Sequence, residues 1–288
     1  MLSSTRFVAT RFYQLVPKRL RLARFITLAA STILCLNFSF QTHAATNLPF
    51  VLGEKAIYDI SWFGIIGGEG TLHIKKNFSY MNNEIYEIDI NGVSVGWVRD
   101  LYKVDDHAFS YFDIKNKYSH RAEIQISEGS YKKVKVIEFD HKNLTATYRQ
   151  NDSPPETFEI EYGSQDSFSA LYALRTMHHK LKVGKSISLP LFEDKKKYDL
   201  EVRVLRKERL HLPQGMIDTI VIQPMLKTEG VFRRKGKLTI WLVDNYSLLP
   251  IRIKTKILIG SFVANLKEYD GIELSFIPYA NPAKGKDK

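Results

Sequence analysis

The stretch "GEKAIYDISWFGIIGGEGTLHI" (residues 53–74) places four glycines within seven positions, between two runs of alternating apolar residues. Tyr58, Ile60 and Trp62 alternate with polar residues before the glycines, and the same alternation resumes after them. Alternation with a period of two is typical of a β-strand with one buried face, and glycine readily supplies the positive φ of a tight turn. The stretch therefore predicts a β-hairpin. A phosphate-binding loop is excluded, because a strand follows the glycines where a helix N-terminus is needed.

Strand-like alternation dominates the rest of the chain. It recurs in residues 86–90, 122–126, 200–204, 238–242, 251–257 and 262–266. Clusters of turn-forming residues separate these runs at the regular spacing of an antiparallel meander. In "YKKVKVIEFD" (131–140) the apolar phase shifts between Val136 and Ile137, which predicts a β-bulge.

One segment, "DSFSALYALRTMHHKLKVG" (166–184), carries an apolar residue every three or four positions and predicts a helix. Asp166 can cap its start and Gly184 can end it. A single helix cannot cover so many half-apolar strands, so the sheet must close on itself or curve. We expect a mainly β fold, a single curved antiparallel sheet or open barrel, with one α-helix packed against it. The predicted boundaries are one β-rich domain over residues 45–276 and a disordered tail over residues 277–288.

The N-terminus has the pattern of a secretory signal peptide over residues 1–44. Six basic residues and no acidic residue occupy the first 24 positions, and an uncharged apolar run of 16 residues (25–40) follows. Small residues then predict cleavage between Ala44 and Ala45, which places the mature protein in the periplasm. An uncleaved anchor in the inner membrane is disfavoured, because a spanning helix needs about 20 apolar residues.

Much of the positive charge belongs to this segment. The formal charge of the whole chain is +11, and removing residues 1–44 leaves 36 basic and 31 acidic residues, or +5. Nucleic acid is therefore not an expected partner. The only cysteine, Cys35, lies in the apolar run, so the mature chain can form neither disulfides nor thiolate metal sites.

No motif for catalysis, a metal or a cofactor stands out. The histidines are dispersed without zinc-site spacing, and no Gly-x-Ser-x-Gly motif occurs. We therefore predict no catalytic residues, no metal and no cofactor. Carboxylates are plentiful enough that a glycan or lipid hydrolase stays open as a minor alternative.

Apolar residues at the predicted hairpin tip are unusual, since such turns are normally polar. They suggest a binding site for an apolar ligand. Its candidate residues are Trp62, Phe63, Ile65, Ile66, Tyr172, Arg175 and Trp241, with Arg175 pairing either a ligand anion or an acid such as Asp166. Gly67, Gly68, Asp166, Asp244 and Gly260 are interpreted as structural.

Three segments, residues 53–74, 166–184 and 236–266, together resemble the exported bacterial family catalogued as domain of unknown function 3108. The matching features are the Gly-Gly-Glu turn of the first segment, Asp166 and Arg175 in the second, and Trp241 and Asp244 in the third. The resemblance implies an exported, mostly β protein in the envelope of a Gram-negative-type bacterium. It assigns no activity.

These patterns favour a non-enzymatic binder of an apolar or amphipathic, lipid-like envelope component. The alternative is an envelope-assembly or scaffold protein that meets a protein partner through a sheet edge. Two basic runs, residues 194–198 and 233–237, could also contact an anionic membrane surface peripherally.

Overall fold

This computed structural model describes residues 48–228, 231–232, 237–256 and 260–279. Within these ranges, the segments with alternating apolar residues form β-strands. These residues lie in a unit that extends from Asn47 to Lys288. The predicted signal peptide and its cleavage point between Ala44 and Ala45 lie outside the described residues.

Fifteen strands occur in the described residues. The first eight are β1 (Lys55–Trp62), β2 (Ile65–Tyr80), β3 (Asn83–Ser94), β4 (Asp105–Asp113), β5 (Ser119–Glu128), β6 (Tyr131–Asp140), β7 (Thr145–Gln150) and β8 (Glu156–Glu159). The others are β9 (Ser186–Glu193), β10 (Lys196–Leu212), β11 (Gly215–Thr228), β12 (Val231–Phe232), β13 (Lys237–Val243), β14 (Pro250–Lys256) and β15 (Ser261–Asp270).

All these strands belong to one sheet, whose order is β8-β7-β6-β5-β4-β3-β2-β1-β15-β14-β13-β11-β10-β9, with β12 paired to β11. Every neighbouring pair is antiparallel. Successive turns therefore lie at alternate ends of the strands. We call the end that carries the β1–β2 turn the tip end and the opposite end the base end. The connections β3–β4, β5–β6, β9–β10 and β14–β15 also lie at the tip end.

Two short α-helices accompany the sheet, α1 (Gly96–Leu101) and α2 (Ser169–Arg175). The prediction of a mainly β, curved antiparallel sheet with a helix packed against it is confirmed. Helix α2 is shorter than the predicted segment, because the chain leaves it after Arg175 and forms a 3₁₀ turn at His178–Lys180. Helix α1 was not predicted.

Helix α2 fills the space that the sheet encloses. Tyr172 packs in a cluster with Ile88 of β3, whereas Leu174 packs in another with Val202 of β10. Because β3 and β10 lie far apart in the sheet order, the sheet must curve around the helix to reach both sides of it. The interior at this level is a packed core.

The two outer strands of the sheet are brought together by the same curvature. Phe192 of β9 packs with Ile137 of β6 and Tyr148 of β7. The backbone of Gln165 bridges β9 in parallel, as its N–H donates to Pro190 O and its carbonyl accepts from Phe192 N, both at 2.9 Å. The result is a barrel-like sheet whose opening is covered by the chain that leads into α2.

The predicted bulge in β6 was wrong. Pairing runs without a register shift past Val136 and Ile137 on both neighbouring strands. The apolar phase changes because Lys135, a buried residue, takes an inward position and pairs with Glu193 and Asp194 from the β9–β10 turn.

The predicted tail also begins too early. Ile277 exchanges backbone hydrogen bonds with Met216, and the Tyr279 hydroxyl donates to Leu212 O at 2.6 Å. Residues 277–279 are therefore tied to the β10–β11 hairpin, and the rest of the predicted tail lies outside the described residues.

Candidate binding surface

The turn between β1 and β2 presents an aromatic residue at its apex. Trp62 pairs with Ile65, and the two residues between them, Phe63 and Gly64, have φ values of 48° and 82°. Positive φ at both central positions defines a type I′ turn, which matches the twist of the flanking strands. A bulky residue such as phenylalanine is uncommon at positive φ. Phe63 adopts this conformation at the apex of the turn, where it is 66% exposed.

Neighbouring aromatic rings hold Phe63 in place at this apex. Its ring centroid lies 4.9 Å from that of Trp62, which in turn stacks at 6.2 Å on Phe262 of β15. Gly260 passes directly beneath the Phe63 ring, where an added Cβ would approach Phe63 Cζ to 2.8 Å. The predicted structural role of Gly260 therefore has a physical cause, which combines this close approach with its own φ of 83°.

A bulge at Gly67 attaches helix α1 to the hairpin. Ile60 pairs with Gly68 and Ser61 with Ile66, so Gly67 is the extra residue. Its carbonyl accepts a hydrogen bond from Val95 N at 3.0 Å. The missing side chain leaves room for Val98, whose Cγ2 would lie 2.9 Å from a Cβ at position 67.

The hairpin tip and α1, which meet at Gly67 and Val98, expose a surface with large apolar side chains at the tip end. We call this surface the apolar rim. Its residues are Trp62, Phe63, Ile65, Ile66, Trp97, Leu101, Tyr102 and Phe262, all of them exposed. No residue of α1 is buried, so this helix contributes its apolar side chains to the surface and not to the core. Contiguous exposed apolar patches of this kind mark sites of interaction.

The structure separates the seven predicted site residues into two groups. Trp62, Phe63, Ile65 and Ile66 lie in the apolar rim, whereas Tyr172, Arg175 and Trp241 are buried. They do not form one ligand-lined concavity, because α2 itself occupies the interior. Ligand binding by any of them stays a prediction.

Arg175 is held by groups of the protein itself. Its Nη1 and Nη2 donate to the two carboxylate oxygens of Glu54 at 2.5 and 2.9 Å, and its Nε donates to Ser247 O at 2.8 Å. Burial alone would lower the pKa of Arg175, but the hydrogen bond and charge of Glu54 raise it. The acid that pairs with Arg175 is thus Glu54 and not Asp166.

Two aromatic residues adjoin this ion pair. The guanidinium lies 5.2 Å from the ring centroid of Tyr172, and the hydroxyl of Tyr269 donates to Glu54 at 3.0 Å. Burial, followed by the nearby charge of Glu54, raises the pKa of Tyr269 above its usual range. The cluster is a satisfied polar network inside the core.

The side chain of Trp241 is also held by groups of the protein itself. Its indole N–H donates to the carboxylate of Glu208, and the guanidinium of Arg252 lies 5.9 Å from its ring centroid. Burial lowers the pKa of Arg252, and the charge of Glu208 partly offsets this. Trp241 therefore links β13 to β10 and β14, away from the apolar rim.

The remaining predicted structural residues have defined contacts. The Asp166 carboxylate accepts hydrogen bonds from the N–H groups of Phe168 and Ser169 at 2.7 and 3.0 Å, just before α2 begins. Asp244 pairs with Lys207 at 2.7 Å. A Cβ at Gly68 would lie 3.1 Å from the Val93 carbonyl oxygen.

A solvent-open cleft of about 420 Å³ lies at the base end, between β15 and residues 271–276. Asp270 and Glu273 line it, but both residues are exposed. Neither carboxyl group is enclosed by apolar side chains, as the general acid of a glycosidase is. A hydrolase of this kind needs two carboxyl groups in different environments, one to act as the acid and one as the base. Asp270 and Glu273 in this cleft do not provide that difference.

The described residues form neither a metal-binding cluster nor a helix that could span a membrane. Residues 48–279, apart from the gaps stated above, include no group of three or more histidine, cysteine, aspartate or glutamate residues placed to hold a metal ion. Within the same ranges, no helix has the length and apolar character that crossing a bilayer demands.

The close contact at Gly67 leads to a first prediction. Gly67→Ala is expected to push Val98 and α1 away from β2, because the new Cβ would overlap the stiff, β-branched side chain. Amide hydrogen exchange across residues 95–102 should become faster, while exchange in α2 stays unchanged. Gly92→Ala is the matched control, since a Cβ at that position meets no atom within 4 Å. Equal exchange in both variants would contradict the packing described for α1.

Comparison with known proteins identifies the family. The model described as "Protein of unknown function (DUF3108)" matches residues 57–267. The chain belongs to the DUF3108 family. The match includes the apolar rim and α2, and it confirms the resemblance drawn from the sequence. No curated protein matches this DUF3108 chain.

Three solved structures are similar to this chain at low sequence identity. A β-barrel-like DUF1849 protein from Brucella abortus has a TM-score of 0.51 and 11% identity, with 77% of this chain and 99% of that chain covered. A candidate exported protein with a YmcC-like fold from Bacteroides fragilis has a TM-score of 0.33 and 7% identity, covering 77% and 98%. A candidate lipoprotein from Parabacteroides distasonis gives 0.32 and 11%, covering 77% and 97%. The first of these supports the barrel-like fold of the DUF3108 chain.

Sequence reasoning missed half of the apolar rim. Trp97, Leu101 and Tyr102 are exposed on or beside α1, and Phe262 was interpreted only as a strand residue. The available signal was the run of large apolar residues in "GWVRDLY" (96–102), a segment too short to show helical periodicity.

Proposed function

We propose that this protein is an exported component of the cell envelope that binds an apolar or amphipathic, lipid-like partner without catalysing a reaction. The observation that carries the proposal is the apolar rim, which exposes eight large apolar side chains at one end of the sheet. The basic and apolar pattern of residues 1–44 supports export.

Surface binding fits the geometry better than binding inside the barrel. Helix α2 occupies the enclosed space, and Arg175 is satisfied by Glu54 and backbone carbonyls. A ligand in the interior would have to displace this packed core. The rim needs no such rearrangement.

The alternative of a scaffold that adds a partner strand has less support. The two outer strands of the sheet are β8, which has four residues, and β9, whose backbone is bridged by Gln165. Short and covered edges are poor templates for strand addition. A partner protein would therefore have to use another surface.

The test removes apolar area from the rim without touching the core. Ile65→Ser/Ile66→Ser should weaken binding of a hydrophobic fluorescent probe by at least about tenfold, because two exposed isoleucines lose their transfer free energy. Met81→Ser/Val183→Ser is the matched control, since both residues are exposed away from the rim. Native mass spectrometry of the protein purified from its own periplasm should detect co-purified lipid in the wild type. The proposal fails if no lipid co-purifies and the probe binds both double variants as it binds the wild type.

A further inference from the structure

We propose that the apolar rim docks onto an anionic phospholipid bilayer, guided by lysines at the tip ends of β13 and β14. The inference rests on the proposed function and specifies its ligand. The surface of a bilayer offers both an apolar layer for the rim and phosphate groups for the lysines.

Three lysines lie at the tip end of neighbouring strands. Lys237 opens β13, while Lys254 and Lys256 close β14, and all three are exposed. Lys237 stands directly opposite Lys256 in the antiparallel pair. Like charges in this position are destabilising, and none of the three lysines has a carboxylate partner among the described residues. An external anion would relieve this repulsion.

These lysines flank the apolar rim without interrupting it. Thr255 pairs with Phe262, and Lys256 pairs with Ser261. Since side chains alternate between the faces of a strand, Lys254 and Lys256 lie on the opposite face of the sheet from Phe262. The cations therefore lie one strand away from Phe262 and point to the other side of the sheet at the same end.

The charges on the other surfaces are mixed in sign. On α1, Arg99 is followed by Asp100, so that flank of the rim is balanced. The base end carries exposed residues of both signs, which include the acids Glu268, Asp270 and Glu273 and the lysines Lys115 and Lys142. An anionic surface would therefore attract the lysine side of the tip end in preference to these mixed surfaces.

The composition of the rim favours a bilayer surface over a soluble apolar molecule. Tryptophan and tyrosine are enriched where proteins meet the headgroup region, because each combines an apolar ring with a polar group. The rim places Trp62, Trp97 and Tyr102 beside aliphatic residues on an open surface. A small ligand would instead require a concave pocket that covers most of its area.

Tryptophan fluorescence tests which end enters the bilayer. Of the three tryptophans, Trp62 and Trp97 are exposed on the rim, whereas Trp241 is buried. Vesicles of brominated phosphatidylcholine and phosphatidylglycerol in equal parts should quench the wild-type protein. The variant Trp62→Phe/Trp97→Phe retains only Trp241 and should show no quenching. Quenching of Trp241 in that variant would overturn the docking orientation.

Vesicle sedimentation tests the role of the lysines. Lys254→Gln/Lys256→Gln is expected to weaken binding to the same anionic lipid mixture by about 30-fold at low salt, since each lysine near such a surface contributes about fivefold. The control Lys115→Gln/Lys142→Gln makes the same charge change with two exposed lysines at the base end. It should bind as the wild type does. Raising the salt concentration should reduce wild-type binding more than binding of the β14 variant.

The outcomes separate this inference from the proposed function. Equal binding of both lysine variants, or equal wild-type binding to anionic vesicles and to phosphatidylcholine alone, overturns the anionic-bilayer inference. If neither vesicle type binds but the hydrophobic probe still requires Ile65 and Ile66, the inference fails and the proposed function stands. If neither vesicle type binds, the probe binds without Ile65 and Ile66, and no lipid co-purifies, both fail.

Discussion

Arg175→Ala is expected to lower the free energy of unfolding by about 3–5 kcal/mol, as measured by urea denaturation. Arg175 is 1% exposed, and its guanidinium neutralises the buried carboxylate of Glu54. Truncation leaves that charge in the core without a cationic partner. It also removes the donors to Ser247 O and Pro49 O, so two base-end loops lose their link to α2.

The large loss of stability is expected because the Arg175–Glu54 pair is buried. An ion pair on the surface provides the comparison. Arg209 binds Asp218 at 2.7 Å, but the two side chains are 49% and 55% exposed. Arg209→Ala should therefore leave stability nearly unchanged. The double variant Glu54→Leu/Arg175→Met should recover much of the loss, because it removes both charges together. A loss as large in Arg209→Ala as in Arg175→Ala would contradict the role given to burial.

Leu174→Ala is expected to cost about 2–5 kcal/mol of stability, because it opens a cavity where α2 meets β10, β11 and β13. Leu174 is 3% exposed and packs with Val204, Ile222 and Leu242. The change should shift the urea midpoint of the whole protein, since the sheet curves around this helix. A single cooperative transition at lower urea is the expected observation.

Leu171→Ala is the matched control on the same helix. Leu171 is only partly buried against the same cluster, so the same truncation removes fewer contacts and should cost clearly less. If the two variants lose equal stability, α2 does not pack as described. If Leu174→Ala has no effect, the enclosed space is not a packed core.

Much of the fold could be predicted from the sequence because strands leave a local signal. Alternating apolar residues located the long strands, and the curvature followed from the shortage of helices to cover them. The prediction failed where the conformation of a residue depends on a partner that is distant in sequence. Lys135 takes an inward position because Glu193 lies close to it in space, 58 residues away in sequence.

The candidate surface was predictable only in part, for a similar reason. Phe63, Ile65 and Ile66 revealed themselves as apolar residues in a turn. Arg175 looked like a ligand-binding residue because its partner Glu54 lies 121 positions away. Helix α1 gave no helical periodicity, since its six residues bury none of their side chains and so need no apolar stripe.

The pairing of β1 with β15 sets the order in which the chain can assemble. Nearly every other pairing joins strands that are close in sequence, so β1 to β8 can form one ladder and β9 to β14 another as soon as each is synthesised. The β1 ladder keeps an unpaired edge until Ser261–Asp270 arrives and joins the halves. An incomplete chain that ends before residue 261 would therefore expose a long strand edge to other molecules and be prone to aggregate.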